Sequence, residues 1–140
     1  VKLNVYNRQE ALSLSKPSAR KVLRVLCNYL SIQGDELSIY FVSGQAIAQL
    51  HGQFFGDPTP TDCITFPLDK SYVGDLFISP EEALSYNPEN PYSETQLYLV
   101  HGLLHLAGYD DLCPKARRAM RKMEKTCMDH LYKLGLTLTP

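Results

Sequence analysis

Apolar and polar residues alternate over 1–6, which predicts a short strand. The period then lengthens to that of a helix over 18–30, with Val22, Leu23, Leu26 and Leu30 on one face and Gly34 ending it. Residues 37–42 (L-S-I-Y-F-V) read as a second strand, and 45–54 as a helix that turns Ile47 and Leu50 inward and closes near Gly56. A Pro-rich loop follows. Residues 63–66 and 75–78 make two further strands, and the 67–74 connection suits an antiparallel pair. Ser93-Glu94-Thr95-Gln96 has the form of a capping box, so the next helix is expected over 93–107. Pro114 opens a last helix with Ala116, Met120, Met123, Cys127 and Leu134 as its buried stripe, ending at Gly135. Strands and helices interleave without repeats. The expectation is an α+β single domain over 1–140, with a mixed, about four-stranded sheet packed with helices.

Composition agrees with one core: 140 residues, 44% hydrophobic and 21% charged. No apolar run approaches the roughly eighteen residues that a membrane span requires, and the first residues lack the apolar block of a signal peptide. A cytoplasmic protein with no membrane partner is expected. Cys27, Cys63, Cys113 and Cys127 form no C-x-x-C pair and read as reduced thiols in core packing. Cys63, in the P-T-D-C stretch, and Cys113, two residues past Asp111, are weighed as ligands of the site below, with packing preferred.

The chemistry is concentrated in 101–111. His101 and His105 are four residues apart, so a helix places both imidazoles on one face, where they can reach one ion. Gly108 supplies a residue able to leave the helix in the left-handed conformation, and Asp111 can then return to the ion. The 101, 105, 111 spacing with glycine at 108 is that of the metzincin zinc signature. The glutamate that serves those proteases as general base is here Gly102, which removes the mechanism for peptide hydrolysis. Two histidines and a carboxylate remain an acceptable zinc set. The site is therefore expected at the end of the helix in the chain's fourth quarter, with Zn²⁺ at one per chain. Asp110 and Tyr109 are candidates to orient ligands or a bound water, and Asp110 is the candidate catalytic group.

These residues, H-G-L-L-H-L-A-G-Y-D-D, resemble the H-G-x-L-H-L-x-G-Y-D-H signature of the YbeY family, bacterial metal-dependent endoribonucleases of rRNA maturation. Upstream, 56–67 (G-D-P-T-P-T-D-C-I-T-F-P) resembles the family's G-K-D-x-P-T-D-V-L-S-F-P, and 74–79 its G-D-I-x-I-S strand. The resemblance implies a single-strand-specific zinc endoribonuclease acting in 16S rRNA 3′-end maturation and late 70S ribosome quality control, with rRNA and the small ribosomal subunit as partners. It also marks departures: Asp111 stands for the signature's last histidine, Phe55 for an arginine associated with nuclease activity, and His51 for an asparagine.

Net charge is only −1, but ten of the fourteen basic residues fall in two helical segments, 16–24 and 115–125. Arg117, Arg118, Arg121, Lys122 and Lys125 share one helix face and are candidates for phosphate contacts; a solvated face is the alternative. Asp62 is expected to fix the Pro-rich loop through backbone N–H groups. Two other functions stay open: a ribosome-associated assembly factor with a mainly structural metal and little nuclease activity, and a small-substrate metallohydrolase that would need another base.

Overall fold

In the computed structural model, which describes residues 1–59, 61–67 and 72–140, strands and helices follow one another as β1 (Lys2–Arg8), α1 (Lys16–Tyr29), β2 (Glu36–Val42), α2 (Gly44–Phe55), β3 (Cys63–Pro67), β4 (Tyr72–Ile78), α3 (Pro80–Tyr86), α4 (Pro91–Leu106) and α5 (Pro114–Lys133). The sheet order is β1-β2-β4-β3. β1 pairs parallel with β2, β2 parallel with β4, and β3 closes the edge antiparallel to β4, so the expected mixed four-stranded α+β domain is what the chain forms. Part of the β3–β4 connection, 68–71, lies outside the described residues.

Strand alternation sends the two sets of side chains to different layers. Leu37, Ile39, Phe41, Leu76 and Ile78 join α1, α4 and α5 in the main core, with Leu23, Leu26, Leu99, Leu103 and Met120 among its fully buried members. Burying a side chain of this size stabilises the fold by about 1.5–3 kcal/mol. On the other face Val42, Ile47 and Ile64 form a small cluster under α2. The same face carries a row of stacked rings, Tyr6 on Tyr40 and Tyr40 on Phe77, in paired register across β1, β2 and β4.

Several starts and stops differ from expectation for local reasons. α4 begins at Pro91, not at Ser93, because Asn90 caps it: its side-chain oxygen accepts the Ser93 N–H at 3.3 Å and proline occupies the first turn. Ser93 instead places its hydroxyl 2.8 Å from the Tyr132 phenol. α1 likewise starts at Lys16 under a Ser15 cap. α3 was not expected; Ser79 caps it, Pro80 opens it and Glu81 and Glu82 lie in its first turn, a start signal too short to show helical periodicity. Leu134 is half exposed past the end of α5, and Leu131 takes its place in the buried stripe.

Candidate metal centre

α4 can lie close to β4 only because residue 102 has no side chain: a Cβ there would collide with the Leu76 side chain. The same contact leaves no room for an acidic side chain between the histidines. α4 therefore presents His101 and His105 over the sheet edge, each about a quarter exposed. Past the Ala107 C-cap, Gly108 adopts φ 104° and the Tyr109 N–H bonds back to the Leu104 carbonyl at 2.9 Å. That reversal returns 109–111 to the histidines.

Both imidazoles are fixed through Nδ1. His101 Nδ1 lies 2.9 Å from Glu124 Oε2, and His105 Nδ1 lies 3.1 Å from the Tyr109 carbonyl oxygen. A carboxylate and a carbonyl only accept, so each Nδ1 carries the proton. The two Nε2 atoms then meet at 3.0 Å, with the rings edge to face. In neutral rings both present lone pairs, which repel at that distance unless a cation lies between them. Asp111 Oδ2 completes the triangle at 3.9 Å from His101 Nε2 and 4.0 Å from His105 Nε2. A triangle with those edges has a centre about 2.1 Å from each corner, the length of a zinc–nitrogen or zinc–oxygen bond. His101, His105 and Asp111 can hold a metal ion.

Hydrogen bonding to Glu124 is the main influence raising the His101 pKa, with burial opposing and the charges of Glu124, Asp62 and Asp111 adding to the rise. Cys63 lines the cleft but is not part of the three-atom cluster; burial first, then the charges of Asp62, Asp111 and Glu124, push its thiol up. Cys113 caps α5, its sulfur accepting the Ala116 N–H at 3.4 Å.

The structure separates the remaining candidates. Asp110 accepts the Leu112 N–H at 3.1 Å, a turn contact that shapes the loop carrying Asp111. Tyr109 acts through its carbonyl. Asp62 accepts the Cys63 N–H at 2.7 Å, in keeping with a loop-fixing role. On α5, Arg117, Arg118, Arg121, Lys122 and Lys125 are all exposed. Arg117 also donates to the Asp111 carbonyl at 3.2 Å, which joins the basic helix to the ligand loop. Glu124 went unnoticed in the sequence, though one signal was there: an acidic residue four positions after Met120 and three before Cys127 sits beside a buried stripe, where a charge needs a partner.

A cleft of about 320 Å³ opens over the centre, lined by the three candidate ligands, Cys63 and the 61–65 segment, with His51 and Phe55 of α2 at its side. His51 Nδ1 lies 2.9 Å from the Thr59 carbonyl oxygen, which ties α2 to the Pro-rich loop.

A helix, a glycine turn and a returning carboxylate on an α+β sheet make a domain that can hold a metal ion over its sheet edge. The family model described as "Endoribonuclease YbeY" matches residues 4–132, and the chain belongs to the YbeY family. Proteins named endoribonuclease YbeY are similar over nearly their whole length: one from Protochlamydia amoebophila is 41% identical, covering 96% of this chain and 95% of the relative. One from Chlamydia pneumoniae is 36% identical, covering 99% and 96%. The solution structure of TM1509 from Thermotoga maritima shares the fold, with a TM-score of 0.68 at 23% identity over 94% of this chain and 89% of that one. No helix among the described residues is long and apolar enough to cross a membrane.

Proposed function

We propose that residues 1–140 form one metalloendoribonuclease domain that cuts single-stranded RNA in the cytoplasm, with 16S rRNA 3′ ends as substrate, late 70S quality control as setting and the small ribosomal subunit as partner. Family membership supports the reaction class. The observation that carries the metal reading is the convergence of two Nδ1-anchored imidazoles and one carboxylate on a point at bonding distance from all three. Nitrogen and carboxylate donors in a three-residue set suit zinc at one ion per chain.

Bound zinc would polarise a phosphate oxygen or make a water acidic enough to attack. The chain's own residues do the rest. Glu124 and the Tyr109 carbonyl hold the rings in the tautomer that frees Nε2, as outer partners of metal-bound histidines commonly do. Asp110 and Arg117 hold the loop on which Asp111 returns. Arg118, Arg121, Lys122 and Lys125 present charge to the phosphates of a strand leaving the cleft.

One observation favours the second reading, an assembly factor with little cleavage: among the described residues the cleft lining holds no lysine or arginine to meet a developing phosphate charge. Zinc-loaded protein and an Asp111→Ala control, incubated with single-stranded RNA, separate the two. Cleavage lost in the control supports the nuclease; RNA binding without cleavage by either protein supports the assembly factor.

A further inference from the structure

We propose that Phe55 is a nucleobase-stacking site at the mouth of the metal cleft, and that its ligand is a base of single-stranded RNA adjoining the phosphate at the metal. The inference rests on the RNA-cleaving reading and names how that site holds its substrate.

Phe55 is the last residue of α2, where Gly56 takes φ 72° and ends the helix. The residue is 57% exposed and is a member of neither buried cluster. It nonetheless lines the same cleft as His101, His105 and Asp111. The ring is also braced. The His51 imidazole lies 5.8 Å away at 54°, and Phe66 lies 6.3 Å away and nearly parallel, itself edge-on to Phe77 of the sheet at 5.8 Å. A large, exposed, positioned aromatic ring beside a phosphate-directed metal site has the properties that single-strand recognition uses, because every base offers a π-face and an unpaired strand leaves it free. A base lies one sugar from its phosphate, so a phosphate at the metal brings a base to the rim. The absence of lysine or arginine from the described lining increases the share of affinity that the base must supply. A protein partner fits less well: the space is about 320 Å³ and much of its lining is polar, with His51, Thr61, Asp62 and Thr65.

The chain contains no tryptophan, so Phe55→Trp introduces a single indole at the rim. Zinc-loaded Phe55→Trp would be titrated with a single-stranded RNA oligomer and with an abasic ribose–phosphate oligomer of the same length. Phe55→Leu and Phe55→Tyr would be compared with the unsubstituted protein for RNA affinity, with melting curves confirming that each is folded. Quenching by the base-bearing strand alone is expected, with affinity retained in Phe55→Tyr and lowered about tenfold in Phe55→Leu. If the unsubstituted protein cleaves RNA while Phe55→Leu binds it equally well and the indole responds alike to both oligomers, the stacking site is wrong and the nuclease reading stands. If the unsubstituted protein neither binds nor cleaves RNA, both fall together. Loss of small-subunit association in Phe55→Leu with RNA affinity intact overturns the proposal in favour of a protein contact.

Discussion

α4 and α2 line the same cleft and are held by very different amounts of core. α4 buries Thr95, Gln96, Tyr98, Leu99, Val100, Gly102, Leu103 and Leu104, and it carries the two histidines on the strip left over. α2 buries only Gly44 and Ile47, and its end presents His51 and Phe55. Metal geometry must be held to fractions of an ångström, so two of the three candidate ligands ride on the element that the core fixes and the third returns on a loop tied back to it. The rim tolerates looser support, since a stacking or loop contact can adjust. Substitutions in α4 should therefore appear in metal affinity and folding, and those at the exposed end of α2, His51 and Phe55, chiefly in substrate handling.

The largest effect should come from the ligands. His101→Ala or His105→Ala is expected to weaken zinc affinity on the order of 10²–10³-fold, one ligand's share of a site of this kind. His51→Ala on α2 should leave zinc content unchanged. Metal titration against a competing chelator reads both; equal losses from all three would abolish the distinction between the helices.

Glu124 comes next. Its carboxylate meets the outer nitrogen of His101 and is not one of the three candidate ligands, so Glu124→Ala should lower zinc affinity about 10–100-fold while all three remain. Zinc affinity unchanged in Glu124→Ala would mean that α4 packing alone holds the imidazole.

Most of the metal side was legible in the sequence because its information is local. His101, His105, Gly108 and Asp111 lie within eleven residues, where helical spacing and one glycine determine the geometry. Strands 37–42, 63–66 and 75–78 were legible for a similar reason, as short apolar runs between turn residues. Glu124 was not, because its role depends on α5 packing against α4, with the partners 23 positions apart. The start of α4 was misplaced because two cap signals, Asn90-Pro91 and Ser93-x-x-Gln96, overlap, and pattern alone does not rank them. The bracing of Phe55 joins α2 to β3 and β4, which no linear motif records.

A paired glycine experiment sharpens the comparison in folding energy. Gly102→Ala forces a methyl group into Leu76 in the main core and should cost about 1–3 kcal/mol, the usual range for overpacking, despite alanine's better helix propensity. Gly52→Ala in α2 meets the Pro58 Cα at 3.3 Å, a surface-loop atom that can yield by a few tenths of an ångström. There the propensity gain of up to about 1 kcal/mol should leave the protein neutral to slightly more stable. Urea unfolding of the metal-free proteins measures both, and a loss for Gly52→Ala as large as that for Gly102→Ala would show that α2 is packed as rigidly as α4.

The smallest effect concerns protons on the α4 side. In the metal-free protein the Glu124 hydrogen bond raises the His101 pKa above its unfolded value, so folding favours the protonated ring. That contribution is fully present below the unfolded value of about 6.5 and is lost as pH rises through the higher folded value. Glu124→Gln removes the charge and should flatten this part of the profile. The stability difference between the unsubstituted protein and Glu124→Gln, measured by urea unfolding at pH 6 and again at pH 8, should therefore shrink at the higher pH. Zinc reverses the direction. An ion at His101 Nε2 competes with the proton there, so zinc affinity should rise over the pH range in which the metal-free protein loses this stabilisation. A metal-free stability difference that grows with pH would mean that the Glu124 contact favours the neutral ring, leaving burial as the dominant influence on His101.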